Sequence, residues 1–178
     1  MRCRVVSSML VMAMMASFGQ FVEAAGPGVR TTTAAARAIP ITKTVTTSLY
    51  TANLSPGDGS PPDAQGVAQY RIIRATITIW ALTWTTEVRS ISVNVTGVPS
   101  EFDVVNVDVN GGSSFGSGLV TNGSSAFSLS TATGATIPNI VQGDVLNVIA
   151  VDTSAVPVDP ILLVSGAFGP PITKTVTY

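Results

Sequence analysis

The chain has 178 residues, with nine basic and ten acidic side chains, a single cysteine and no histidine. With no imidazole, and with Cys3 as its one thiol, it lacks the usual ligands of a tight zinc or copper site and the commonest general acid–base group. A net charge of −1 also makes nucleic acid a poor partner.

Arg2 and Arg4 precede an apolar stretch from Val5 to Phe18, and Val22-Glu23-Ala24 ahead of Ala25 fits a cleavage site. That three-part pattern predicts a signal peptide over residues 1–24. Ser7, Ser8, Ser17, Gly19 and Gln20 break the apolar run short of the roughly 20 residues a membrane span needs. The mature chain is therefore expected to start at Ala25, to be secreted or displayed at the cell surface, and to contain no membrane span. Loss of Arg2, Arg4 and Glu23 takes nine basic and ten acidic residues to seven and nine, a net charge near −2. Taking 24 from 178 residues leaves 154, enough for one hydrophobic core without disulfides.

Residues 25–40 are small, polar or helix-neutral with no apolar period, which predicts a flexible lead-in segment. From Ile41 to Tyr178 the texture changes to Thr, Val, Ile and Ser, interrupted every eight to twelve residues by Gly, Pro or Asn clusters. This pattern predicts an all-β domain over 41–178: a single immunoglobulin-like or Greek-key β-sandwich of about 8–10 short strands. Ala75 to Trp84 alternates as one strand, with Ile77, Ile79 and Ala81 on one face and Trp80, Leu82 and Trp84 on the other. Large apolar groups on both faces suggest a central strand covered on both sides, or a phase change at a bulge near Trp80. Trp80 and Trp84 read as core, because the rest of their face is apolar.

Ile91, Val93 and Val95 alternate with Ser90, Ser92 and Asn94 in a strand with one wet face, stopped by Gly97-Val98-Pro99-Ser100. In the next strand Val105, Val107 and Val109 share a face, and Asn106, Asp108 and Asn110 point the other way. Further strands are expected over 125–130, 144–152 and 161–168, and no amphipathic helix is expected in the mature chain. The hexapeptide Ile41 to Thr46 recurs letter for letter as Ile172 to Thr177, each copy following a proline. Its β-branched residues and lysine suit an edge strand. Equally, both copies fit one kind of groove, so a terminal strand of one subunit could occupy the slot of another.

Three stretches resemble the CHRD (chordin) domain, a secreted β-sandwich module. They are Leu49 to Pro56 followed by Ser60 to Ala68, then Asp108-Val109-Asn110-Gly111-Gly112, and last Val151 to Pro157 with Val164 to Phe168. The resemblance spans about residues 47–169. It implies a histidine pair in the middle motif and a further histidine and an arginine near the end. At those places this chain has Asp108, Asn110, Asp152 and Ser165, so a transition-metal role implied by the family loses its nitrogen ligands.

Hard cations accept carboxylate and amide oxygens, so Asp108, Asn110 and Asp152, with Asn106 beside them, form a candidate weak calcium site. Two carboxylates make a sparse shell, and solvated strand residues with a turn-forming Asn-Gly are the simpler reading. No other cofactor is implied. Gly112 to Gly116 matches the Gly-x-Ser-x-Gly elbow around Ser114, but no histidine exists to activate the serine. Most of the remaining carboxylates sit beside turns, and no glycosidase pair stands out among them. Asn53, Asn94 and Asn122 begin Asn-x-Ser/Thr sequons. The expected protein is a non-enzymatic structural, adhesive or self-assembling module, with itself as partner through 41–46 and 172–177. The alternative is a binding module for a carbohydrate or a protein factor, using the loops at 58–66 and 110–118.

Overall fold

A computed structural model describes residues 40–57 and 59–178. The expected signal peptide, and the lead-in segment up to residue 39, lie outside the described residues. The rest forms nine strands: β1 (Ile41–Leu54), β2 (Gln65–Ile79), β3 (Leu82–Thr96), β4 (Val104–Val109), β5 (Gly116–Leu119), β6 (Ser124–Ser130), β7 (Val145–Val151), β8 (Ile161–Ala167) and β9 (Ile172–Thr177). A 3-10 turn at Thr131–Thr133 is the one helical piece among the described residues. The strands make two antiparallel sheets in the orders β6-β3-β2-β1-β9 and β5-β4-β7-β8. This is the two-sheet, all-β architecture that the alternation predicts.

Alternation along each strand decides which side chains enter the core. Ala52, Leu54, Ala68, Tyr70, Ile91, Val93 and Val95 of the first sheet face Val105, Val107, Leu146, Val148, Ala150, Leu163 and Val164 of the second, all of them buried. A register shift between Val148 and Ile149 bulges β8, which lets the adjacent Leu163 and Val164 both be buried. Phe168 sets its ring edge-on to Tyr70, with centroids 6.3 Å apart. The two sheets join at a corner, where Ser55 and Ser165 exchange backbone hydrogen bonds of 3.0 and 2.9 Å.

Two features are not short-strand texture. β1, β2 and β3 run for 14, 15 and 15 residues, whereas the facing strands β4, β5, β7 and β8 have 6, 4, 7 and 7. The distal halves of the long strands, with β9 beside them, therefore project past the second sheet. The stretch from Ala75 to Trp84 is also not one strand. It turns back at Trp80-Ala81, pairing Ile79 with Leu82 and Ile77 with Trp84 on a single face. The sequence hides this hairpin because the turn contains no Gly, Asn, Asp or Pro. Trp80 itself takes the left-handed φ of 55° that such positions normally reserve for smaller residues.

Glycine sets the closeness of β5 to β6. A Cβ on Gly116 would run into the Leu129 side chain, and one on Gly118 would run into Phe127 and the Ser125 hydroxyl. Gly118→Val is therefore expected to overpack this contact and lower unfolding free energy by about 1–3 kcal/mol in urea titration. An unchanged midpoint would mean that β5 does not sit against β6.

Candidate functional site

Asp108 and Asn110 lie at one end of β4, and Asp152 lies beyond the other. Pairing of Val104 with Val151 and of Asp108 with Asn147 separates Asp108 from Asp152 by about five residues of strand, about 17 Å. The three side chains do not converge. Asp108 is buried and accepts hydrogen bonds from Asn147 Nδ2 and the Gly111 N–H, both at 2.9 Å. Asn110 donates to Asp144 Oδ1 at 2.9 Å and accepts from the Val145 N–H at 2.8 Å. Asp152 accepts from the Ser154 N–H at 2.8 Å and its hydroxyl at 2.6 Å. Each is occupied in tying a turn. No group of three or more Asp, Glu, Cys or His side chains is placed to share an ion among the described residues.

Ser114 lies between β4 and β5, so the strand-to-helix turn of a hydrolase elbow is not formed around it. Its hydroxyl donates to the Gly116 carbonyl at 3.2 Å. Ser113, Ser114 and Phe115 line an open depression of about 470 Å³ with Thr136 and Pro138. A second depression, about 510 Å³, lies by Asn53, Gln65, Val67 and Asn94. Neither lining includes an ionisable side chain.

The projecting part of the first sheet is chemically the more unusual region. Its two faces have exchanged character relative to the sandwich. In the sandwich, the face bearing Ala52, Ala68, Tyr70 and Val93 is apolar, and the opposite face bears Gln69, Arg71, Ser90, Ser92 and Asn94. Past Tyr50 and Ile72 the first of these faces becomes a hydroxyl ladder: Thr44 with Thr177 at 3.4 Å, Thr46 with Thr175 and Ser48 with Thr173 at 3.1 Å, Thr76 with Thr85 at 3.2 Å and Thr78 with Thr83 at 3.1 Å. Arg74 and Arg89 close the ladder's base by holding Glu87 between them, at 2.6 and 2.7 Å.

The opposite face becomes apolar. Register places Ile41, Val45 and Leu49 of β1 beside Ile73, Ala75, Ile77 and Ile79 of β2, then Leu82, Trp84 and Val88 of β3, with Ile172 and Val176 of β9 on the other side. Several are well exposed: Trp80 at 71%, Leu82 at 64%, Trp84 at 52% and Ile172 at 75%. The expectation that both tryptophans are core is thus corrected. They lie at and beside the hairpin tip, beyond the reach of the second sheet. The inversion had a signal in the sequence, since Leu49-Tyr50 and Ile72-Ile73 are adjacent apolar pairs that break the two-residue period.

No family model, curated protein sequence or solved structure matches this chain.

Several carboxylates are held below their usual range by the hydrogen bonds they accept: Glu87 by Arg74 and then Arg89, Asp103 by the Thr153 hydroxyl and N–H, Asp144 by the Val141 N–H and then Asn110, and Asp152 by the Ser154 hydroxyl and N–H. A depressed folded-state value means stability that is fully present above the unfolded carboxylate range and is lost as pH falls through the folded values. Melting temperature should accordingly be nearly flat from neutrality to about pH 5 and fall below about pH 4. Glu87→Gln should reduce that acid dependence. A melting temperature that rises on acidification below pH 4 would contradict these assignments.

Proposed function

We propose that this chain is an exported, non-catalytic β-sandwich, secreted or held at the cell surface, whose structural or adhesive role depends on self-assembly by exchange of its C-terminal strand. The observation that carries the reading is the placement of β9. It lies at the edge of the first sheet, pairs with β1 alone, and has no buried residue. Pro170-Pro171 precede it, and Phe168, one residue before Gly169, is the last buried anchor of the chain. A strand that contributes nothing to the core is held by ladder hydrogen bonds and by hydroxyl pairs on one face. Its detachment therefore leaves the sandwich intact.

The repeat supports the same reading. β9 repeats the first six residues of β1, so each copy presents threonine hydroxyls on one face and Ile, Lys and Val on the other. A strand arriving from a second molecule would satisfy β1 as fully as the chain's own, the usual condition for a swapped element. The resemblance to the CHRD domain belongs to this proposal as a family of exported sandwich modules. The absence of histidine supports the non-catalytic part of it.

The test follows from the ladder. Lys43 and Tyr178 exchange two backbone hydrogen bonds, so alternation makes Thr46 and Thr175 a closely spaced, non-hydrogen-bonded pair. Thr46→Cys with Thr175→Cys should form a disulfide that ties β9 to its own β1. Size-exclusion chromatography with light scattering is expected to show concentration-dependent oligomers for the native chain. The oxidised double variant should be a folded monomer, with oligomers returning on reduction. A native chain that stays monomeric at high concentration, or oligomers unaffected by the cross-link, would reject strand exchange.

A further inference from the structure

We infer that the apolar face of the projecting sheet, led by the Trp80 to Trp84 tip, docks on an anionic lipid surface. Nine residues each of β1, β2 and β3 with the six of β9 give this face about 500 Å² at about 3.3 Å per residue and 4.8 Å per strand, within the size range of exposed patches that mark binding surfaces. A sheet face of this kind is normally buried against another layer. Among the described residues no layer covers it.

Charge selects the partner. Lys43 and Lys174 occupy this face by register, with Arg71 at its border with the sandwich, and no Asp or Glu does. All five cations of the described residues, these three with Arg74 and Arg89, lie on β1, β2, β3 and β9. Apart from Glu87, which is held by two arginines, the described carboxylates belong to the loops and the second sheet. Among the described residues, the projecting end is therefore basic and the other end acidic.

Lys43 argues against a second copy stacked face to face. It lies inside the face, opposite Ile77 on one side and within 5.8 Å of the Tyr178 ring centroid on the other. Face-to-face burial would leave its ammonium group without a carboxylate partner, at a large desolvation cost. Against a bilayer the same stem lies along apolar surface while the ammonium reaches a phosphate. The tip fits the same partner. Trp80 is held at φ 55° in a turn, where a smaller residue would be relaxed, and a strained exposed residue points to a role outside the fold. Indole, apolar in body with one N–H donor, prefers the head-group boundary of a membrane.

The chain has two tryptophans and both lie in this site, so its intrinsic fluorescence reports the docking directly. Adding phosphatidylglycerol-containing vesicles to the full chain should shift emission to the blue and protect it from acrylamide. Pure phosphatidylcholine vesicles should do so far less, and high salt should reverse much of the effect. Lys43→Gln with Lys174→Gln, which keeps both reporters, should weaken vesicle binding roughly tenfold or more. Leu82→Thr with Ile41→Thr should also weaken it, with circular dichroism unchanged. No shift with anionic vesicles would overturn the inference. So would a blue shift that grows with protein concentration without lipid, which identifies a second copy, or one produced by soluble glycans. The cross-linked Thr46→Cys, Thr175→Cys chain should still bind vesicles, so loss of strand exchange and loss of lipid docking are read separately.

Discussion

Strands of 14 or 15 residues cannot be covered by facing strands of four to seven, and this mismatch in length organises the rest of the molecule. Where the two sheets overlap, the inner face is a closed core built on Tyr70, Phe168, Ile91 and the valines of both sheets. Beyond the overlap the inner face meets water, and its side chains become threonine and serine paired hydroxyl to hydroxyl. A lone sheet layer could be polar on both sides. Here the outer side becomes apolar, which folding of the described residues alone does not bury.

The periodicity of the sequence carries most of the sandwich. The one-sided strand Ile91-Val93-Val95 and Val105 and Val107 of β4 are buried as their alternation predicts, and the boundaries of β6, β7 and β8 agree with it closely. β5 was hidden because Gly116 and Gly118 give it no apolar pattern, their place being dictated by Phe127 and Leu129 pressing from β6. The β2–β3 hairpin was hidden for the opposite reason. Its turn is made of Trp and Ala, so an apolar run continues straight through a reversal of direction. Alternation also shows that a residue faces one side without saying whether anything covers that side. Trp84 shares a face with Ile77 and Ile79, yet that face is open.

Polar side chains were legible as turn formers and not as a shared site. Asp108 and Asn110 fall in one stretch of the family resemblance and Asp152 in another, and strand pairing places Asp152 at the far end of the second sheet. Each carboxylate instead closes a local turn or pairs with a neighbouring amide: Asp108 with Asn147, Asp144 with Asn110, Asp103 with Thr153, Asp152 with Ser154. Long-range pairing, which sequence spacing does not reveal, decides which oxygens meet. The same pairing gathers the cations onto the projecting sheet, an asymmetry invisible in a net charge near zero.

Amide hydrogen exchange on the full chain tests the division of the long strands most directly, because each of β1, β2 and β3 crosses the boundary. Backbone amides of 50–54, 65–72 and 90–96 should share the slow exchange of β7 and β8, whereas 41–47, 74–79 and 82–87 should exchange through a separate opening of lower free energy. Uniform protection along all three strands would contradict the account, since it would require the projecting half to be covered as fully as the core.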